Sequence, residues 1–180
     1  MKKNKRDIYL TALVLVALYL SIAENFIPKP FPWMKIGLSN IAVLIALEKF
    51  DSKFALELVL LRIFIQGLML GTLFTPGFIV SLTAGTLTTI FMICLYRFRK
   101  YLTLIAISSL SAFLHNLFQL IVVYFLMFRN ISIYSKSIMG FVWIFLIIGV
   151  VSGVITGFIG EKLNLRRSNI EWENILEQME

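Results

Sequence analysis

The stretch LTLIAISSLSAFLHNLFQLIVVYFLMF, from Leu102 to Phe128, contains no acid, lysine or arginine. As a helix rising about 1.5 Å per residue, it is long enough to cross a hydrocarbon core of roughly 30 Å. Its reading decides the fold class: this is a membrane chain built from helices. His115, the only histidine in the sequence, sits in its middle with Asn116 and Gln119. Polar groups in hydrocarbon are costly unless satisfied, so they face a bundle interior or a cavity. The pairs His115/Gln119 and Asn116/Gln119 are four and three residues apart, so one helix face can carry all three. Ser108 and Ser111 extend this polar stripe by the same spacing. A binding stripe is the more economical reading; interhelical bonding and a proton relay through a titrating histidine are the alternatives.

Composition agrees with the stretch. The chain has 180 residues and is 59% hydrophobic, with a mean hydropathy of +0.87. A soluble domain has too little interior to hide that much apolar surface. The net charge of +7 does not mark a nucleic-acid binder, because the basic residues lie in short segments between apolar runs. Cys94 is the single cysteine, cannot form an intrachain disulfide, and reads as a small packing residue. Lys2 to Arg6 followed by Ile8 to Ile22 looks like the start of a signal peptide. Glu24, Asn25 and Phe26 replace the small-residue cleavage site, so the segment reads as a retained first helix.

Six spans are expected, at about Ile8–Ile27, Ile36–Leu47, Phe54–Leu70, Phe78–Tyr96, Leu102–Phe128 and Ile138–Ile159. The second and third are short, and either tilt little or are broken near Gly37 and Gly71. With the N-terminus inside, twelve basic residues are cytoplasmic: Lys2, Lys3, Lys5, Arg6, Lys49, Lys53, Arg97, Arg99, Lys100, Lys162, Arg166 and Arg167. Four are outside: Lys29, Lys35, Arg129 and Lys136. That asymmetry puts both termini in the cytoplasm. The expected fold is an all-α, multi-pass bundle of six transmembrane helices over residues 1–160. A cytoplasmic tail over 161–180 follows, with Trp172, Ile175, Leu176 and Met179 at amphipathic helical spacing among Glu171, Glu173 and Glu177.

Arg62 is the most costly residue, a permanent charge inside the third span that needs a carboxylate, carbonyls, water or an anionic ligand. Glu57, five residues earlier, lies about 140° round the helix and is a poor partner. Gln66 shares the arginine's face. Bracing of the bundle and ligand binding both remain open for Arg62. Glu24 ends the first span and Lys35 begins the second. Between them Pro28, Pro30 and Pro32 exclude helix and favour a stiff extended loop, with Phe31 and Trp33 at interface depth. The loop reads either as an interface anchor or as a lid over an outward-facing pocket, toward which Asn40 could turn its amide. Ser81, Thr83, Gly85, Thr86, Thr88 and Thr89 make the fourth span a close-packing helix. Gly149, Gly153 and Gly157 make a small-residue seam on the sixth, whose partner the sequence does not name.

The pattern Glu24-x-x-Ile27-Pro28-x-Pro30-x-Pro32-x-x-Lys35-x-Gly37-Leu38-x-Asn40-Ile41 resembles the signature of the Gx transporter family, also labelled heptaprenyl diphosphate synthase component I. Arg62, Gly71-Thr72-Leu73-Phe74 with Ser81 and Gly85, and His115-Asn116-x-x-Gln119 follow in the same order. The family is similar to the substrate-binding S components of energy-coupling factor (ECF) transporters. The resemblance implies a bacterial cytoplasmic-membrane protein that captures a vitamin or related small polar or anionic compound. It also implies partners: a transmembrane coupling subunit and two ATPases. A flavin is a candidate ligand through relatives that support flavin-linked electron transfer. The implied substrate-binding residues are Lys35, Asn40, Arg62, Gln66, His115, Asn116 and Gln119, with Glu24, Pro28, Pro32 and Trp33 in the lid loop. The first-helix patch that S components use for docking, Ala-x-x-x-Ala, is here Ala12-x-x-x-Val16. An accessory role in polyprenyl diphosphate synthesis and a helper role in electron transfer are the alternatives. Catalysis is not expected: the only aspartates, Asp7 and Asp51, are isolated, so no cluster exists to bridge Mg²⁺ to a diphosphate. No metal site is expected either. No phosphate-cradling Gly-x-x-x-x-Gly-Lys-Ser/Thr loop is present, so any ATP-derived energy would come from a partner.

Overall fold

The computed structural model describes residues 3–26, 37–128 and 136–162. Within them lie six α-helices: α1 (Lys3–Ala23), α2 (Asn40–Lys49), α3 (Ser52–Met69), α4 (Pro76–Tyr96), α5 (Leu104–Met127) and α6 (Lys136–Lys162). One 3₁₀ turn, Glu24–Phe26, follows α1. The fold is all-α, as expected. Pro28, Pro32, Trp33 and Lys35 lie outside the described residues, as does the tail from residue 163 on.

The helices start and stop where side-chain chemistry requires. Asp51 accepts from Phe54 N at 2.6 Å to begin α3, and Thr103 accepts from Ala106 N at 3.1 Å to begin α5. These caps satisfy amides that have no partner inside the helix. Pro76 opens α4, where its missing N–H costs nothing. At the end of α3, Gly71 takes φ +64°. Thr72 N then donates to Gly67 O at 2.8 Å and Gly71 N to Leu68 O at 3.2 Å. This is the Schellman closure, which favours glycine at the left-handed position.

Four helices are long and apolar enough to cross a membrane: α1, α4, α5 and α6. Their outer faces are apolar and exposed, as with Trp143 and Ile144 at 60% each, a surface that suits lipid and not water. The chain is a multi-pass membrane protein. The second expected span is instead a short buried rod. Helix α2 has ten residues, about 15 Å of rise, half the thickness of the hydrocarbon. Helix α3 has 18 residues, close to spanning length, but Lys53, Glu57 and Arg62 interrupt its apolar character.

Three contacts set which helix ends lie together. Arg6 on α1 pairs with Glu57 on α3 at 2.5 Å, and its guanidinium lies 5.7 Å from the centre of the Phe54 ring. Glu48 on α2 accepts from the Tyr96 hydroxyl at the end of α4, with Arg99 Nε at 3.7 Å. Gly157 on α6 packs on Ile105 at the start of α5. One end of the bundle therefore gathers the starts of α1, α3 and α5 and the ends of α2, α4 and α6. Near this end lies the apolar core, with Leu44, Phe54, Leu58 and Ile107 fully buried. Phe50 stacks on Phe54 with ring centres 4.2 Å apart.

Glu48 is itself buried, so its carboxylate depends on these partners. Tyr96→Phe is expected to lower stability by about 1–3 kcal/mol, because it leaves part of a buried carboxylate without its donor. Thermal unfolding in detergent tests this; an unchanged midpoint would mean the hydroxyl contributes nothing.

Candidate functional site

Above the apolar core lies a buried polar layer drawn from five helices. Its centre is the start of α2. Gly37 takes φ +93°, a conformation costly for a residue with a Cβ. Its N–H donates to Glu24 Oε1 at 3.0 Å, which ties the end of α1 to the start of α2. A Cβ at Gly37 would lie 3.1 Å from Asn40 Nδ2 and 4.0 Å from His115 Cδ2. Glycine thus also makes room for the Asn40 amide and the imidazole beside it.

Ser39 stands at the N-cap position of α2 but makes no side-chain capping bond. The first turn closes on the backbone instead, with Asn40 N to Gly37 O at 2.9 Å and Ile41 N to Leu38 O at 3.1 Å. The Ser39 hydroxyl accepts from Arg62 Nη1. Arg62 is 3% exposed, and the Glu24 carboxylate, also buried, attracts it electrostatically. Gly85 lets α3 approach α4 here: a Cβ there would meet Ile63 Cδ1 at 2.9 Å and Arg62 Nη2 at 3.7 Å. One turn beyond Arg62, Gln66 Oε1 accepts from Ser21 on α1 at 2.9 Å. From the other side, His115 Nδ1 lies 3.3 Å from Thr88 Oγ1 on α4. Gln119 is buried one turn further along α5.

The fold therefore brings together Glu24, Asn40, Arg62, Gln66 and His115, with Gln119 next on the same helix face. Asn116 goes elsewhere. Its Nδ2 donates to Phe145 O on α6 at 2.8 Å and lies 2.6 Å from the point where Gly149 would carry a Cβ. Adjacent helix residues point about 100° apart, enough to aim His115 at α2 and α4 and Asn116 at α6. Ser108 is likewise spent on α6, bonding Thr156 at 2.6 Å. Glu57, a poor partner for Arg62 on helical geometry, is the counter-ion of Arg6. Sequence reasoning missed Ser21, Ser39 and Thr88. For Ser39 a signal existed, a serine where the chain leaves Gly37 and enters a helix. The threonines of α4 all read alike, and most of them do bond their own backbone, as Thr89 does to Gly85 O at 2.8 Å.

Chemically, the layer offers donors beside one carboxylate, that of Glu24. Arg62 Nε and Asn40 Nδ2 are buried and have no hydrogen-bond partner among the described residues. A buried unpaired donor costs about 1–3 kcal/mol, more when charged, so the layer is poised to accept a molecule that brings acceptors. Among the described residues no group of three His, Cys, Asp or Glu side chains is placed to hold a metal ion.

Comparison with known proteins adds one match. Neither a curated protein nor a solved structure matches the chain significantly. The family model described as heptaprenyl diphosphate synthase component I matches residues 13–163, from the first turns of α1 to the end of α6. It covers the whole polar layer and most of the sequence, and the chain belongs to the heptaprenyl diphosphate synthase component I family.

Proposed function

We propose that this protein is the membrane-embedded binding component of an uptake system for a small polar or anionic compound. The observation that carries this reading is Arg62: a charge buried within the bundle, bonded to Ser39 at the start of α2 and attracted by Glu24, with an open donor. An ionisable residue inside a membrane bundle is a functional-site hypothesis by default. Its neighbours Asn40 and His115 supply the oriented polar contacts that small-molecule sites use.

The charge distribution supports an outward-facing site. Lys5, Arg6, Lys49, Lys53, Arg97, Arg99, Lys100 and Lys162 all belong to the end of the bundle that holds the apolar core. The positive-inside rule assigns that end to the cytoplasm, which puts Glu24, Gly37 and the polar layer toward the outside. A vitamin or flavin, which carries acceptors for these donors, is the candidate compound. The partners are an ECF-type coupling subunit and its ATPases. Ala12 and Val16, the counterpart of the usual docking patch, are both exposed on α1 and open to a partner helix. Prenyl transfer by the chain itself is no part of this reading: Asp51 caps α3, and the sequence holds one other aspartate, Asp7.

The test is to purify the full chain in mild detergent, extract it, and identify what is released by mass spectrometry. A small compound in near-stoichiometric amount is expected from the wild type and at least tenfold less from Asn40→Ala, whose one open donor is worth about 1–3 kcal/mol. A folded wild type that releases nothing and binds no member of a vitamin and flavin panel would end this reading. Prenyl chain synthesis that required this chain in a reconstituted assay would replace it with an accessory role in that reaction.

A further inference from the structure

We infer that the group recognised in the polar layer is an oxyanion, a carboxylate or phosphate, and that the nearby Glu24 carboxylate opposes its binding by like charge. This rests on the binding role proposed above and adds the chemistry of the ligand. Two open atoms of the layer next to α2 are donors, Arg62 Nε and Asn40 Nδ2, and the Glu24 carboxylate is the acceptor beside them. Ser39 Oγ accepts from Arg62, so its own proton is left to donate. Three donors around one permanent positive charge match an anion with several acceptor oxygens and mismatch a cation or a pure donor. The neighbouring amide acceptor is engaged elsewhere, since Gln66 Oε1 takes the Ser21 hydroxyl at 2.9 Å.

Glu24 makes the arrangement self-limiting. One of its oxygens is held by Gly37 N at 3.0 Å, next to the Asn40 amide, and its charge acts on Arg62. The carboxylate therefore offsets part of the guanidinium's charge. An incoming oxyanion gains Arg62, Asn40 and Ser39 but meets like charge from Glu24. The arginine is thus kept stable without ligand, and affinity is held below what the donors alone would give, which favours release after capture. The charged or titratable groups facing this point among the described residues are Glu24, Arg62 and His115.

The inference makes a prediction of unusual sign: removing a site residue tightens binding. Purified full-length protein is titrated with inorganic phosphate at constant ionic strength, with sulfate and acetate as further probes and choline chloride as control, read by thermal midpoint. Wild type is expected to respond to phosphate and not to choline. Glu24→Gln is expected to bind phosphate about tenfold more tightly, the scale of relieving one like charge in a partly screened site. Asn40→Asp, nearly isosteric, replaces a donor by a carboxylate and is expected to bind at least tenfold more weakly. Equal or weaker phosphate binding by a folded Glu24→Gln overturns the opposing role of Glu24, and wild-type affinity in Asn40→Asp overturns the oxyanion site. If the wild type ignores all three anions yet still releases a neutral compound on extraction, the oxyanion inference fails while the uptake reading stands. If it releases nothing and binds nothing, both fail.

Discussion

Arg62→Met is expected to abolish ligand retention and to cost about 3–5 kcal/mol of stability, the usual penalty for removing one member of a buried charge pair. Two consequences combine. Ser39 loses the donor it accepts from, and the Glu24 carboxylate loses the charge that compensates it. The loss of stability alone would not distinguish a brace from a binding residue. The double variant Glu24→Gln, Arg62→Met separates them. With both charges gone and similar volume in place, most of the stability is expected to return, because well-packed neutral replacements of buried ion pairs are tolerated. Retention is not expected to return, because the ligand's own charge partner is missing. Thermal unfolding and mass spectrometry of extracts, run on the same preparations, give both readings. A stable double variant that retained the compound at wild-type level would show that Arg62 only braces the bundle.

Gly153→Val is expected to prevent accumulation of folded protein, whereas Gly140→Val on the same helix is expected to be close to neutral. The contrast comes from what surrounds each glycine. A Cβ at Gly153 would lie 2.5 Å from Ser109 Cα and 2.8 Å from Ser108 O, while nothing lies within 4 Å of one at Gly140. Backbone atoms cannot swing aside as a flexible side chain can, so α5 and α6 would have to separate. Separation breaks the Ser108–Thr156 bond and loosens the contacts at Gly149 and Gly157. Overpacking typically costs about 1–3 kcal/mol, and a clash against main chain in a glycine seam belongs at or above the top of that range. Size-exclusion profiles and thermal midpoints of the two variants, expressed in parallel, test the contrast.

Much of the fold was legible because hydrocarbon imposes simple rules. Long apolar runs gave α1, α4, α5 and α6 within a few residues of their observed ends. Gly37 and Gly71, read as the points where a break would fall, both take positive φ. Two other matters depended on three-dimensional packing. The glycine seam of α6 announced a close contact without naming its partner, and α5 is that partner. The polar stripe of α5 looked like one face, yet the fold divides it between α2 and α4 on one side and α6 on the other. Helical spacing says which residues are neighbours on a helix, but not which neighbouring helix each will meet. The site was legible in its costly members, Arg62, Glu24 and His115, whose burial demands an explanation. Ser39 and Thr88 escaped notice because a hydroxyl is cheap to bury when it can bond its own backbone.

The short buried rod α2 bears on how the protein is made. Most of its surface is covered by other helices, and its ten residues fall well below the roughly 20 needed to settle across a bilayer alone. During synthesis, then, it cannot be handed to lipid as an independent segment and await its neighbours. It reaches its position only once α3 has emerged to cover it and to supply Arg62 for Ser39. A nascent chain halted before α3 would hold α1 in the membrane with α2 unplaced, a form that quality-control proteases can distinguish from the finished protein. Assembly of the polar layer thereby begins only after the α3 segment has cleared the ribosome, and it ends when α4 and α5 bring Thr88 and His115.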